Sequence, residues 1–521
     1  MNTKVTILKI LLYTALGILW SYSNVGYPLE YLSWITLAPF LFFIRKETLK
    51  GGIFYSLLFG TTFYLIHLLW MPKTFILFFA ENGPTPGLYV VSALVTFLFA
   101  LYHGFMYVLL YLGIRFAAGT ITAPASYLMI PVVAAAVDYF YPKYWFDRMG
   151  YALNGFFPII QTADLFGVPF LTFVVVLGNT AALTVFECLV YKRKPIFGLL
   201  TTSTAAIVII ASIAYGKWRI ADIDTTARNA PHATVGVVQG NYSGMDKRDE
   251  QMLEVMLKTY NDLSIGLMGE SPDLIVWPES ADPHYYPIEK TDYTAMKKFP
   301  APLIFGTHLT AEDKKENDTD AYNSVVFLSA RGYKLDHYNK NRLMPFIEGF
   351  SNERLNDIMG WYDFESFTYG KKRKIFKTGS LKIAPNICFE DIIPSFVRKS
   401  TNINGEKANI LINSTNNSWF GRSAEPLMHF RIAGFRAIEN RKTFTRATCT
   451  GYSSIFDPTG RAIYSSGLFT KEAVAKSVPL MEIETVYSQY GWYFPYIMTG
   501  IAAIMISVNV LQTARKKRNA V

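Results

Sequence analysis

Apolar residues are spread so unevenly along this 521-residue chain that a single water-soluble core cannot hold them. They dominate residues 1–215, thin out through 216–490, and return at about 493–511. A helix needs about 20 mostly apolar residues to cross the hydrocarbon of a bilayer. Candidates near that length lie at 5–24, 29–44, 52–71, 88–114, 124–141, 166–190, 196–215 and 493–511. The first reads as an anchor and not a removable signal peptide, because further spans follow at once. Three parts result: an N-terminal membrane α-helical bundle over 1–215 with about seven spans, a more polar domain over 216–490, and a closing span with a basic tail over 491–521.

Basic residues set the orientation, since they collect on the cytoplasmic side of membrane spans. With the N-terminus cytoplasmic, that side receives Lys4, Lys9, Arg45, Lys46, Lys50, Arg115, Lys192, Arg193, Lys194, Arg515, Lys516, Lys517 and Arg518. The short loops opposite receive only Lys73, Lys143 and Arg148. Both termini are therefore expected in the cytoplasm and the 216–490 domain on the far side. These clusters carry much of the +10 net charge, so it implies no nucleic-acid partner.

The 216–490 region reads as a layered α/β domain. It opens on the valine-rich run Ala233–Asn241, and strand-like segments follow at 273–278, 301–307, 322–329, 333–339, 381–388, 408–413, 443–449 and 452–456. Helical periodicity covers 249–268 and about 425–440. Many strands with interspersed helices indicate a sandwich of sheets covered by helices.

Three strand-like runs deliver chemically potent residues at or just past their ends. Glu279 closes Leu274–Glu279, Lys340 follows Leu335–Asn339, and Cys388 ends Ile383–Cys388. Singly, each has a plain structural explanation: a solvated turn carboxylate, a surface lysine, a small buried hydrophobe. Together they suit acyl transfer through a thioester. A thiol attacks as thiolate and needs a base or cation beside it. Glu279 can take and return the proton, while Lys340 and the N–H of Phe389 can face an oxyanion. Glu348 could orient Lys340, and Glu390 could point to the same side as Cys388 if its strand continued.

Other features carry less. Cys449 lies in the apolar run Phe444–Tyr452 and reads as a core thiol, although an oxidising compartment would allow it a disulfide with Cys388; a free Cys388 is expected. His67, His103 and Asp138 read as packed between helices. Metal-ligand spacing, phosphate loops and dinucleotide fingerprints are absent, so neither metal nor cofactor is expected. Over 349–375 the pattern breaks, with Phe350, Trp361, Tyr362, Phe364, Phe367 and Tyr369 among lysines and an arginine. Such a mixture suits a membrane interface. Trp361, Tyr362, Phe364 and Trp419 are the substrate-binding candidates.

The segments Val276-Trp277-Pro278-Glu279, Tyr338-Asn339-Lys340 with Leu343-Met344-Pro345-Phe346 and Glu348, and Ile387-Cys388-Phe389-Glu390 resemble the Glu-Lys-Cys triad of the nitrilase, or carbon-nitrogen hydrolase, superfamily. With Val238-Gln239-Gly240-Asn241, Asn417-Ser418-Trp419-Phe420-Gly421 and the spans, the chain is similar to the apolipoprotein N-acyltransferase family over nearly its whole length. That resemblance implies an α-β-β-α sandwich on the periplasmic face of a bacterial inner membrane, and a monomer. It further implies that Cys388 takes an acyl chain from a phospholipid and passes it to the amine of a diacylglyceryl-cysteine on an apolipoprotein. Glu279 would be the base, Lys340 the oxyanion lysine and Glu348 a supporting carboxylate. Phe389, Ile347 and Asn417 depart from the family's usual tyrosine, glycine and aspartate. A membrane-anchored amidase and a scaffold with an inactive domain are the competing readings. The multi-span bundle disfavours the first, and the intact triad disfavours the second.

Overall fold

The computed structural model describes residues 3–79, 83–117, 125–192, 196–312, 319–345, 347–349, 367–491 and 493–518. It divides into two compact units, Met1–Ile220 with Gln489–Val521, and Ala221–Ser488.

Among the described residues, 6 helices are long and apolar enough to cross a membrane: Thr3–Tyr22, Leu49–His67, Pro86–Ala117, Val168–Val190, Gly198–Asn229 and Tyr493–Arg515. Two of the expected spans are shorter. Segment 29–44 forms one turn at Glu30–Leu32 and a 7-residue helix, Ala38–Ile44. Segment 124–141 forms the 12-residue helix Met129–Phe140 after a turn at Ala125–Leu128. Asn179 accounts for the first difference. Its Oδ1 accepts from the N–H groups of Leu37 and Ala38 at 2.8 and 3.0 Å, and its Nδ2 donates to the Ser33 carbonyl at 2.7 Å. Non-helical backbone persists in an apolar bundle only where protein groups bond its polar atoms, and a buried Asn179 does that here.

Helices Leu49–His67 and Pro86–Ala117 meet backbone to backbone: a Cβ on Gly60 would lie 2.4 Å from the Gly104 carbonyl oxygen. Small residues at such crossings let membrane helices approach closely. His103 and Asp138 are buried and engaged. His103 bonds the Phe99 carbonyl and the Tyr144 N–H, while Asp138 pairs with Lys143 at 2.7 Å and accepts from Thr172 at 2.8 Å. His67 is buried with a ring nitrogen 3.8 Å from Asp147.

The second unit contains two large sheets among its described residues. The first takes β1 (His232–Gln239), β2 (Leu274–Val276), β3 (Tyr285–Pro287), β4 (Leu303–Glu312), β5 (Thr319–Leu328), β6 (Lys334–Asn339) and the last strand, β15 (Glu472–Pro479). Its order is β15-β1-β2-β4-β5-β6, with β3 beside β4. The second takes β7 (Phe376–Thr378), β8 (Leu381–Ile387), β11 (Ile410–Thr415), β12 (Thr443–Thr448), β13 (Ser454–Phe456) and β14 (Ala462–Ser465), in the order β14-β13-β12-β11-β8-β7. A small hairpin supplies β9 (Asn402–Ile403) and β10 (Glu406–Lys407).

Each sheet has a parallel centre, β1-β2-β4 in one and β8-β11-β12 in the other, with antiparallel edges. Helix Glu250–Gly266 covers the first sheet, packing Met256 and Tyr260 against Trp277, Ile275 and Phe305. Helices Pro394–Ser400 and Glu425–Asn440 cover the second through Val397, Ala433 and Ala437 against Ala384, Leu411 and Phe444. Between the sheets, Ser414 donates to the Trp277 carbonyl at 3.0 Å and Thr448 to Gln239 Oε1 at 2.9 Å. This is the expected α-β-β-α sandwich. Its parallel strands carry their exits to one edge, which is where α/β folds place their chemistry.

Candidate active site

Glu279, Lys340 and Cys388 lie just past the ends of β2, β6 and β8, and all three are buried. Strand β6 holds Lys340 through a last ladder bond, from its N–H to the Asn323 carbonyl at 2.9 Å. Its ammonium then meets two carboxylates: Glu279 Oε1 at 3.1 Å, and Glu348 Oε1 and Oε2 at 2.8 and 2.7 Å. Asn323 joins the same carboxylates, its Nδ2 donating to Glu279 Oε1 at 2.7 Å and to Glu348 Oε1 at 2.8 Å. Glu279 Oε2 accepts from the Asn416 N–H at 2.8 Å, and Glu348 Oε2 from the Met344 N–H at 2.8 Å.

These contacts fix the protonation states. For Glu279, burial favours the neutral acid, but Lys340, the bonds from Asn323 and Lys340, and the charge of Lys247 outweigh it and hold the carboxyl below its usual range. Burial works against the Lys340 ammonium, yet Glu279, Glu348 and Cys388 more than compensate and hold it protonated. The Cys388 thiol is pushed well up, by burial first and then by Glu279, with Lys340 opposing them and Glu348 adding a smaller push. At rest the site is thus a carboxylate, an ammonium and a neutral thiol. Glu279 is an ionised carboxylate able to accept a proton, and Lys340 is a fixed cation.

Strand β8 stops at Ile387 and the chain enters a 3₁₀ turn, Cys388–Ile392, with Cys388 at φ +48°. A side chain in this left-handed region is strained, and the turn carries Cys388 out of the strand. Glu390 therefore does not share a strand face with Cys388. It folds back, its Oε2 accepting from the Ile387 N–H at 2.8 Å. Its Oε1 accepts from the Tyr338 hydroxyl at 2.7 Å and the N–H groups of Asn341 and Arg342 at 2.7 and 3.0 Å. It stitches the elbow to the loop leaving Lys340. Phe389 is buried within the elbow.

Trp419 stands half-buried on the turn Ser418–Phe420, with the Arg248 guanidinium 5.5 Å from its ring. Trp361, Tyr362 and Phe364, and most of the 349–375 segment, lie outside the described residues. The segment's far end is tied to the site: Phe367 N–H donates to the Glu348 carbonyl at 3.1 Å and Gly370 N–H to the Lys340 carbonyl at 2.7 Å.

Sequence reading missed several partners. Asn323 carried a faint signal, as a polar residue inside the otherwise strand-like Tyr322–Leu328. Asp391, His429, Arg446 and Glu425 form a buried charged cluster behind the elbow. Asp391 meets His429 at 2.6 Å and Arg446 at 2.9 Å, and His429 lies 3.3 Å from Glu425. Asn417 bonds Glu425 there at 3.4 Å, a neutral residue among these charges. Cys449 is buried, as expected of a core thiol, and free like Cys388. It lies beside the site, with its sulfur 3.4 Å from the Glu279 carbonyl.

Comparison with known proteins places the second unit in the carbon-nitrogen hydrolase class, whose family model matches residues 234–487. The model of the apolipoprotein N-acyltransferase N-terminal domain matches residues 16–181. The apolipoprotein N-acyltransferase of Geobacter metallireducens is 27% identical over 94% of this chain and 93% of its own length. Apolipoprotein N-acyltransferase 2 of Treponema denticola is 30% identical over 70% of this chain and 71% of its own. Among solved structures, Saccharomyces cerevisiae Nit3 of the nitrilase superfamily matches with TM-score 0.37 and 19% identity over 50% of this chain and 95% of its own. The chain belongs to the apolipoprotein N-acyltransferase family.

Proposed function

We propose that this membrane protein transfers an acyl chain from a phospholipid, through a thioester on Cys388, to the N-terminal amine of diacylglyceryl-cysteine on an apolipoprotein. Glu279 is the base, Lys340 the oxyanion cation and Glu348 the carboxylate that steadies Lys340. In the first half-reaction Glu279 takes the thiol proton as sulfur bonds the ester carbonyl carbon. The oxyanion forms against the Lys340 ammonium, and the C–O bond breaks. Glu279 then returns its proton to the departing oxygen, releasing a lysophospholipid. In the second, the α-amine attacks the thioester and gives a proton to Glu279, which passes it to the departing Cys388 sulfur as the C–S bond breaks and the amide forms.

The observation that carries this reading is the buried Lys340 ammonium shared by two carboxylates whose charges reach Cys388, in a chain of this family. The location follows from the basic-residue bias. The protein is a multi-pass protein of the bacterial inner membrane with cytoplasmic termini, its 216–490 domain faces the periplasm, and it works as a monomer.

The test supplies the purified protein with a diacyl phospholipid and a short peptide bearing an N-terminal diacylglyceryl-cysteine. Equal amounts of N-acylated peptide and lysophospholipid are expected, and none with Cys388→Ala. Ammonia release from a small amide without phospholipid consumption would sink the transferase reading in favour of an amidase.

A further inference from the structure

If Glu279 carries the proton in both half-reactions, as proposed above, then whatever holds its turn and its charge governs the rate. The groups facing it come from many elements. Lys340 follows β6, Glu348 lies beyond it, and Cys388 sits at the elbow after β8. His308 lies on β4 and Asp282 on Glu279's own turn, both electrostatically linked to the site. Cys449 follows β12, and Lys247 sits on the short turn Asp246–Arg248 after β1. The Glu-Lys-Cys triad gives no task to Lys247.

Its geometry is nonetheless specific. Lys247 Nζ donates to the main-chain oxygen of Glu279 at 2.8 Å and to Cys449 Sγ at 2.9 Å. The Cys449 sulfur donates weakly to the same carbonyl at 3.4 Å. Two groups from distant parts of the chain therefore close on one backbone oxygen. That oxygen belongs to the base, immediately before Ser280 at φ +48°. A left-handed residue at this point is strained and persists only where its surroundings hold it, and the Lys247 bond supplies such a hold. The lysine's charge reaches the carboxylate as well as the carbonyl.

We propose that Lys247 is a second lysine of this active site, a positioning residue that clamps the Glu279 carbonyl and lends its positive charge to the carboxylate. Cys449 is the buried acceptor that aims it. Lys340 then serves the oxyanion while Lys247 keeps the base ionised and its turn in place. Burial pushes the Cys449 thiol up, which leaves it neutral beside the ammonium, an acceptor in place of a competing nucleophile.

The test measures the rate of Cys388 acylation by phospholipid from pH 4 to 9 in the full-length protein, for the wild type, Lys247→Met and Lys247→Arg. Loss of a nearby cation raises a carboxyl pKa, so the acid limb of Lys247→Met should move upward by about one pH unit, a roughly tenfold loss on its acid side. The rate should recover towards the alkaline plateau, and Lys247→Arg should restore the limb. That recovery and the arginine rescue separate electrostatic support from misfolding. An unmoved limb, whether the rate is unchanged or falls equally at every pH, overturns the proposal while leaving the thioester reading intact. A wild type that forms no Cys388 thioester overturns the underlying reading, and this one with it.

Discussion

Replacing Glu390 by glutamine should remove one component of the pH dependence of stability while slowing acylation, and the size of that component can be worked from the structure. Glu390 is fully buried, and that burial outweighs its hydrogen bonds to Ile387, Tyr338 and Asn341 and the charge of Lys340, lifting its pKa from 4.5 to about 7. A carboxyl with a raised folded pKa contributes stability below its unfolded value, and that contribution is lost as pH rises through the folded value. The window is therefore about pH 4.5 to 7. A shift of this size corresponds to about 3 kcal/mol of stability lost across it, or roughly 6–12 °C in melting temperature for a unit of this size. Glutamine cannot ionise, so the change in melting temperature between pH 5 and pH 8 should lack this fall in Glu390→Gln, while His308 and His337, both held at about 4 by desolvation, contribute a rise with pH to variant and wild type alike. Its amide still mismatches a site whose backbone partners all donate, so the loop after Lys340 should loosen and acyl transfer should slow at least tenfold. Tryptophan fluorescence melts in detergent at the two pH values, beside acylation rates, make the assay. A variant that keeps the wild-type pH dependence would refute the assignment of that dependence to Glu390.

Three further outcomes follow from the geometry. Cys388→Gly should lose thioester formation yet gain about 1 kcal/mol of stability over Cys388→Ala, because glycine relieves the +48° φ of the elbow; thermal melts of the two variants compare them. In Gly306→Ala a Cβ would lie 2.5 Å from Glu279 Cα and the Pro278 oxygen, so Glu279 should be displaced and acylation should fall more than tenfold in single-turnover assays. Asn323→Ala removes a bond to each carboxylate, worth roughly 1.5–3 kcal/mol apiece. Glu279's lowered pKa contributes stability above about pH 4.5 that is lost as pH falls through the folded value. The variant raises that value, so acid unfolding should begin at a higher pH than in the wild type.

The catalytic candidates were legible because each sits where a strand ends, and strand ends survive in sequence as apolar runs that stop at a charged or reactive residue. Val276-Trp277-Pro278-Glu279 and Ile387-Cys388 show this directly. Their supports were hidden for physical reasons. Lys247 reaches Cys449 across 202 positions of sequence, and nothing local marks either as a partner. Glu390 misled because alternation assumes a continuing strand, whereas the left-handed Cys388 ends it. Strand β15 was missed because its residues are mostly half-buried or exposed and include Lys476 and Ser477, so no apolar alternation announces it. In the helical unit, hydropathy counted segment 29–44 as a span because composition does not register that Asn179 bonds its broken backbone.

The most direct test of the thioester mechanism is the intact mass of the purified protein after incubation with a defined diacyl phospholipid. A gain of one acyl chain is expected, mapping to Cys388 and not Cys449, lost on hydroxylamine treatment and absent from Cys388→Ala and Glu279→Gln. An adduct that persists in Cys388→Ala, or an active wild type that never gains the acyl mass, would contradict it.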